Sequence, residues 1–179
     1  MRPGGCRWPA LVVEAALALS AFPVPGQPIE ELQLKTAIIF NLTKFVEWPP
    51  ASFRSSTDPI AICVVGESPV SRTLQRAIQG KQVEDRTLVL RSVSEAKQAA
   101  GCHVLFVPSG RSRWRSIVTA LKSSGVLTVG ETDDFVSGGG MINLRTDGAR
   151  VRIQVNVGAI ESAGIKISSE LLSLAQIVK

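Results

Sequence analysis

The sequence predicts an α/β protein: a single three-layer α/β/α domain with a largely parallel sheet and an antiparallel hairpin near the C-terminus. Three observations carry this. Through the middle of the chain, short apolar runs alternate with helical stretches across tight loops, the pattern of crossover units. One run, Ile60-Ala61-Ile62-Cys63-Val64-Val65, has no polar residue, as expected of a strand buried on both faces. Near the end, Thr146-Asp147-Gly148 signals a turn, and the following residues alternate strictly between polar and apolar.

The elements follow in order. Residues 1–26 read as a secretory signal peptide: Arg2 and Arg7 precede an apolar run over 9–19, and a small-residue and proline stretch follows. The run is too short to span a bilayer. Cleavage is expected after Gly26, with Ser20 or Ala21 as the rival site, although Glu14 inside the run is also compatible with an ordinary buried helix. Residues 27–179 then form the domain. Residues 29–48 read as a helix with Glu30 and Glu31 at its positive end, an apolar stripe from Leu34 to Trp48, and Pro49-Pro50 as its stop.

Beyond the strand at 60–65, a helix over 69–79 starts at Ser68 and stops at Gly80. A second strand covers 87–93, a short helix 94–99, a third strand 102–107, a helix 111–122 and a fourth strand 126–129. Gly138, Gly139 and Gly140 lead into a strand over 141–144. The next strand places Arg150, Arg152, Gln154 and Asn156 on one face and Val151, Ile153, Val155 and Val157 on the other. A helical turn over 159–163 ends at Gly164. Ser168-Ser169 caps a terminal helix packed through Leu171, Leu172, Ala175 and Val178.

Composition narrows the function. Removing residues 1–26 leaves 18 Lys+Arg against 14 Asp+Glu, a net charge of +4. The charges are scattered, which argues for solubility and against nucleic-acid binding. The same cut removes Cys6 and leaves Cys63 and Cys102. Two cysteines in an exported chain point to one disulfide, and these two fall on strands that are commonly neighbours in a doubly wound sheet; two buried thiols are the alternative. One lone His103 completes neither a zinc site nor a catalytic triad, and it is expected to bond main chain within a strand. No cofactor and no metal are expected.

Four further features have functional and structural accounts. Gly66, Ser68 and Ser109 lie at the C-terminal edge of the sheet, where a small ligand would bind. The three glycines superficially suggest an oxyanion loop, but no serine elbow accompanies them, and permissive backbone explains them better. Arg111 and Arg115, around Trp114 and Arg113, could hold a phosphate, or form a solvated face with the indole turned inward. Arg152, Gln154 and Asn156 line a polar strand face suited to docking a partner, although a plain solvated face looks the same in sequence.

Several motifs in order resemble the YfiR family over residues 30–178. They are Leu34-Lys35-Thr36-Ala37-Ile38-Ile39-Phe40-Asn41-Leu42-Thr43-Lys44-Phe45-Val46-Glu47-Trp48-Pro49, Ile62-Cys63-Val64-Val65-Gly66 and Gly101-Cys102-His103-Val104. Gly139-Gly140-Met141-Ile142, Val151-Arg152-Ile153-Gln154-Val155-Asn156 and Gly164-Ile165-Lys166-Ile167-Ser168-Ser169 complete the set. The resemblance implies a non-catalytic periplasmic protein that represses the sensor region of a membrane signalling enzyme, a YfiN-like diguanylate cyclase or a sensor kinase. It also implies relief of repression by an outer-membrane YfiB-like protein, a homodimer, and the family's disulfide at Cys63 and Cys102. The family's second disulfide has no counterpart here, because no cysteine follows Cys102. A periplasmic small-ligand-binding domain is the alternative. Export is tested by N-terminal sequencing: protein recovered from the periplasm should begin near Gln27, and an intact Met1 in the cytosol contradicts the signal peptide.

Overall fold

The computed structural model describes residues 27–148 and 150–178, so the expected signal segment and Cys6 lie outside the described residues. Helix α1 spans Gln27–Leu42 and is followed by a two-residue strand, β1 (Val46–Glu47), and a 3-10 turn at Pro50–Ser52. The sequence extends this helix to Trp48, but the structure ends it earlier. The amides of Thr43, Lys44 and Phe45 bond three residues back, and the Thr43 hydroxyl donates to the Phe40 carbonyl at 2.6 Å. That tightened turn satisfies the last carbonyls and frees Val46 and Glu47 to pair elsewhere.

The doubly wound centre follows: β2 (Ile60–Val65), α2 (Pro69–Ile78), β3 (Gln82–Val83), β4 (Arg86–Val93), a 3-10 turn at Ala96–Ala99, β5 (Val104–Val107), α3 (Trp114–Ala120) and β6 (Leu127–Gly130). Ser68 caps α2 as expected, its hydroxyl accepting from the Val70 amide at 3.3 Å. Cys102 falls just before its strand, and α3 starts at Trp114 rather than Arg111. The chain closes with β7 (Ile142–Asp147), β8 (Arg150–Val155), α4 (Val157–Ser162), β9 (Lys166–Ile167), α5 (Ser169–Leu174) and β10 (Gln176–Ile177). The terminal helix is thus shorter than its apolar pattern suggests. Its last residues form an edge strand instead.

The main sheet runs β10-β8-β7-β6-β5-β2-β4-β3, and β1 pairs with β9 in a separate two-stranded ribbon. Its centre, from β4 through β2, β5 and β6 to β7, is parallel. The β7–β8 pair is antiparallel, with Asp147 opposite Arg150. At the other margin, β3 and β4 form a hairpin whose two turn residues, Glu84 and Asp85, both have positive φ. Such a turn fits the strand twist but lacks the usual Asn-Gly signature, so the sequence pattern does not announce it.

Side chains alternate off this sheet into two cores. Ile62, Val64, Phe106 and Leu127 meet Ile39, Leu42 and Leu74 of α1 and α2. Cys63, Val65, Leu105 and Val107 meet Trp114, Val118 and Phe135 on the opposite face. All six residues of β2 are buried, as its apolar run demands. Among the described residues, no helix is long and apolar enough to cross a membrane.

A half-buried ion triad fastens α1 across the ends of the strands. Lys35 Nζ lies 2.6 Å from Glu31 and 2.7 Å from Glu131, which follows β6, and Thr146 on β7 donates to Glu31 at 2.7 Å. Donation from Lys35, then from Thr146, holds the Glu31 carboxyl below its ordinary range. Burial pulls the Lys35 ammonium down, but its bonds to Glu131 and Glu31 outweigh that and raise it. The Glu31 contribution is therefore present above its unfolded value and lost as pH falls through the folded one. The Lys35 contribution holds below the unfolded lysine value and is lost as pH rises through the folded one. The triad works at full strength across neutral pH. Glu131→Gln should cost about 1–3 kcal/mol at pH 7, because it removes a charge-assisted bond from a largely buried ammonium, and denaturant unfolding will measure it.

Candidate functional site

Strand pairing builds a polar surface on one face of β7 and β8. Across the antiparallel register, Asn143 faces Gln154, Arg145 faces Arg152, and Asp147 faces Arg150. The intervening pairs, Ile142 with Val155 and Leu144 with Ile153, point to the α1 side of the sheet and pack there. A ladder of amides crosses three strands: Asn143 Nδ2 donates to Gln154 Oε1 at 3.2 Å, and Gln154 Nε2 to Gln176 Oε1 on β10 at 3.5 Å. Asn143 is fully buried, and its Oδ1 has no partner among the described residues.

The arginines are arranged differently. Arg145 and Arg152 are directly opposed like charges, a pairing that costs a few tenths of a kcal/mol or more when unrelieved. Each is relieved by its own acid. Arg152 Nε donates to Asp147 at 2.8 Å, and Arg145 Nε lies 3.5 Å from Asp133. Both side chains remain more than half exposed. Two exposed guanidinium groups thus stand side by side above the amide ladder.

The residues singled out in the sequence are only partly brought together. Arg152 and Gln154 lie on this face. Asn156 follows the strand and caps α4, its Oδ1 accepting from the Ala159 amide at 2.9 Å, while its own amide bonds the Met141 carbonyl. Asn143, Arg145 and Gln176 complete the face. The alternation of Asn143-Leu144-Arg145 contained part of that signal, but it acquires meaning only with the strand register. The edge of β8 is not free throughout, since β10 pairs with Gln154 and Val155.

The glycine triplet has a steric explanation rather than a purely conformational one. Gly139 alone of the three has positive φ, 97°. A Cβ at Gly138 would overlap the Trp114 ring, and one at Gly140 or Gly130 would overlap Phe135. These glycines let the 131–140 segment lay Phe135 flat on the sheet, where the ring is fully buried.

The remaining candidates separate. Arg111 and Arg115 do not converge on a common anion. The Arg111 guanidinium covers Gly66 and donates to the Glu67 carbonyl, whereas Arg115 pairs with Asp134 and lies over the Trp114 ring. Ser68 and Ser109 share one cleft of about 620 Å³, beside α1 and Glu131, where the strand order reverses between β2 and β5, whereas Gly66 lines a neighbouring cleft with Ser68 and Arg72. The Ser68 hydroxyl there caps α2, and the Ser109 amide donates to Glu131 at 2.8 Å. His103 is buried and bonds main chain, its Nδ1 accepting from the Ala61 amide at 3.0 Å. Cys63 and Cys102 are joined by a disulfide with a Cα separation of 5.9 Å.

Comparison with known proteins places this geometry. A profile described as YfiR/HmsC-like matches residues 32–176. Among solved structures, a conserved domain protein from Vibrio cholerae O1 biovar eltor aligns with a TM-score of 0.56 at 13% identity, over 83% of this chain. The ABC domain from Streptococcus pneumonia, solved in complex with L-Trp, aligns with a TM-score of 0.51 at 14% identity, also over 83% of this chain. The chain spans 60% of the length of each of those structures, and at such identities the likeness is one of fold.

The disulfide has a direct test. It closes a separation of 39 residues, which in the chain-entropy model stabilises by about 4 kcal/mol. Thiol titration of the unfolded, unreduced domain over residues 27–179 should find no free sulfhydryl, and reduction should lower its unfolding midpoint. Two reactive thiols before reduction contradict the bridge.

Proposed function

The chain belongs to the YfiR/HmsC-like family of periplasmic regulators in cyclic-di-GMP signalling, and from that premise we propose that it binds and represses the periplasmic sensor region of a membrane signalling enzyme. A YfiN-like diguanylate cyclase is the partner that best fits the family, with a sensor kinase as the variant and an outer-membrane YfiB-like protein as the antagonist. The protein acts without catalysis and as a homodimer.

The docking surface we assign is the polar face of β7 and β8, centred on Arg152 and Gln154, with Asn156 at its end. The observation supporting it is the pair of exposed arginines, Arg145 and Arg152, above a three-strand amide ladder. Such a face offers charge for steering and directional amides for register. The guanidinium groups also supply the side-chain type over-represented at the centres of interfaces. A second reading, a periplasmic small-ligand-binding domain, draws on the cleft lined by Ser68 and Ser109.

Pull-down from the native envelope identifies the sensor, and titration calorimetry then compares variants. Arg152→Ala should lower affinity for the sensor region by about 1–3 kcal/mol, a loss of about 5- to 150-fold, if the guanidinium is buried in the complex. Thermal stability should change little, because the side chain is exposed in the free protein. Unchanged sensor binding together with unchanged dimerisation removes this face from the proposal.

A further inference from the structure

A second constellation lies away from the β7–β8 face, under the segment that joins β1 to β2. The imidazole of His103 is packed between two aromatic rings, stacked on Phe53 at 4.4 Å and meeting the edge of Trp48 at 5.6 Å. Trp48 Nε1 donates to the His103 carbonyl at 3.1 Å, so the indole and the His103 backbone are fixed together. Because Nδ1 accepts from the Ala61 amide, the proton of the neutral ring must sit on Nε2. Burial favours that neutral form by pushing the imidazole below its ordinary value.

The Nε2–H is therefore a donor in a side chain only 4% exposed, and it closes no hydrogen bond among the described residues. The Ser52 backbone lies near enough to favour a protonated ring, yet Nε2 closes no hydrogen bond to it. A buried donor left unpaired costs about 1–3 kcal/mol, which is a reason to look for its acceptor.

His103 lines a pocket of about 210 Å³ together with Ser52, Arg54, Asp58, Arg91 and Gly101. Neither Arg54 nor Arg91 has an ion-pair or hydrogen-bond partner for its guanidinium among the described residues, and both side chains are exposed at the rim. The single carboxylate in the lining, Asp58, feels the charge of Arg54 but makes no ion pair with either arginine among the described residues. Asp58 is taken up by its own turn, accepting from the Arg54 and Ser55 amides and the Ser55 hydroxyl, and those bonds hold its carboxyl below the ordinary range. Arg86 locks that turn in place, donating to the Ser55 and Asp58 carbonyls while lying 3.7 Å from the Phe53 ring centre.

We propose that this pocket is a small-oxyanion site, which takes a carboxylate or phosphate group between Arg54 and Arg91 with the His103 Nε2–H as its buried donor. Two guanidinium groups supply charge and forked donors suited to such a group. The imidazole sets depth. The volume of about 210 Å³ admits an inorganic phosphate or a short dicarboxylate. The site lies on main chain next to the Cys63–Cys102 bridge, since Gly101 and His103 flank Cys102 and Arg91 sits opposite Cys63 in the β2–β4 register.

The chain has one histidine, so its ring nitrogens form an unambiguous reporter in a nitrogen-15 NMR spectrum. Inorganic phosphate and succinate are titrated separately, at constant pH and ionic strength, into the disulfide-bonded domain over residues 27–179. The expected result is a saturable shift of His103 Nε2 with at least one of them. Arg54→Gln and Arg91→Gln should each weaken that binding about tenfold or more, with unfolding midpoints unchanged. Arg76→Gln, an exposed change on α2 outside the pocket, should leave it unaltered. Saturation by phosphate alone assigns a tetrahedral anion, and saturation by succinate alone a carboxylate. No saturable shift with either anion at millimolar concentration overturns the proposal, as does a shift that persists undiminished in both arginine variants.

Discussion

The six consecutive buried residues of β2 impose the constraint on which this structure depends. A strand without a polar side chain cannot face water on either side, so it must be flanked by strands and covered by helices on both faces. The chain meets that demand by winding to β4 on one side and to β5 on the other. Each crossover then supplies a layer: α2 with α1 on one face, α3 with the 3-10 turn at Ala96–Ala99 on the other. The reversal of strand order next to β2 is a product of this arrangement. It also places Glu67, Pro108 and Glu131 around a single cleft.

The same logic explains why the β7–β8 margin is different. Coverage runs out there. On the α1 side Leu144, Val151, Ile153 and Val155 still pack into the core, but on the other face the last large ring is Phe135 over Gly130. Past that ring the sheet carries amides and arginines instead of apolar side chains. An antiparallel margin tolerates this because one of its faces is free to be wet. The polar surface of the sheet therefore begins where the second helix layer stops.

Much of the centre was legible in the sequence, because its signals are local. The apolar run of β2, the Ser68 cap with Gly80 beyond α2, and the turn before β8 each announce themselves within a few residues. What was not legible consists largely of two-residue strands. Val46–Glu47, Gln82–Val83 and Gln176–Ile177 acquire their conformation from partners elsewhere, so the helical periodicity running through Phe45, Val46 and Trp48 misled at α1. The same applies to the candidate site. Arg152 and Gln154 could be read from the alternation of one strand, whereas Asn143, Arg145 and Gln176 join them only through register. Asn156 looked like the next polar position and is instead a helix cap. A cap and a strand face share one residue type, and only the following Ala159 amide distinguishes them.

The Phe135 plug bears on how a partner would be met. The ring sits against Gly130 and Gly140, Gly138 makes room for the neighbouring Trp114 ring, and the Gly138 and Gly140 amides bond back to the Asp134 and Phe135 carbonyls within the same loop. The segment bordering the polar face is thus a fixed shoulder rather than a loop waiting to be ordered. Association at such a surface surrenders little backbone entropy, so its affinity would be set mainly by desolvation and charge matching, and its rate by diffusional encounter. Widening any of those glycines would disturb the shoulder before it touched a single contact residue.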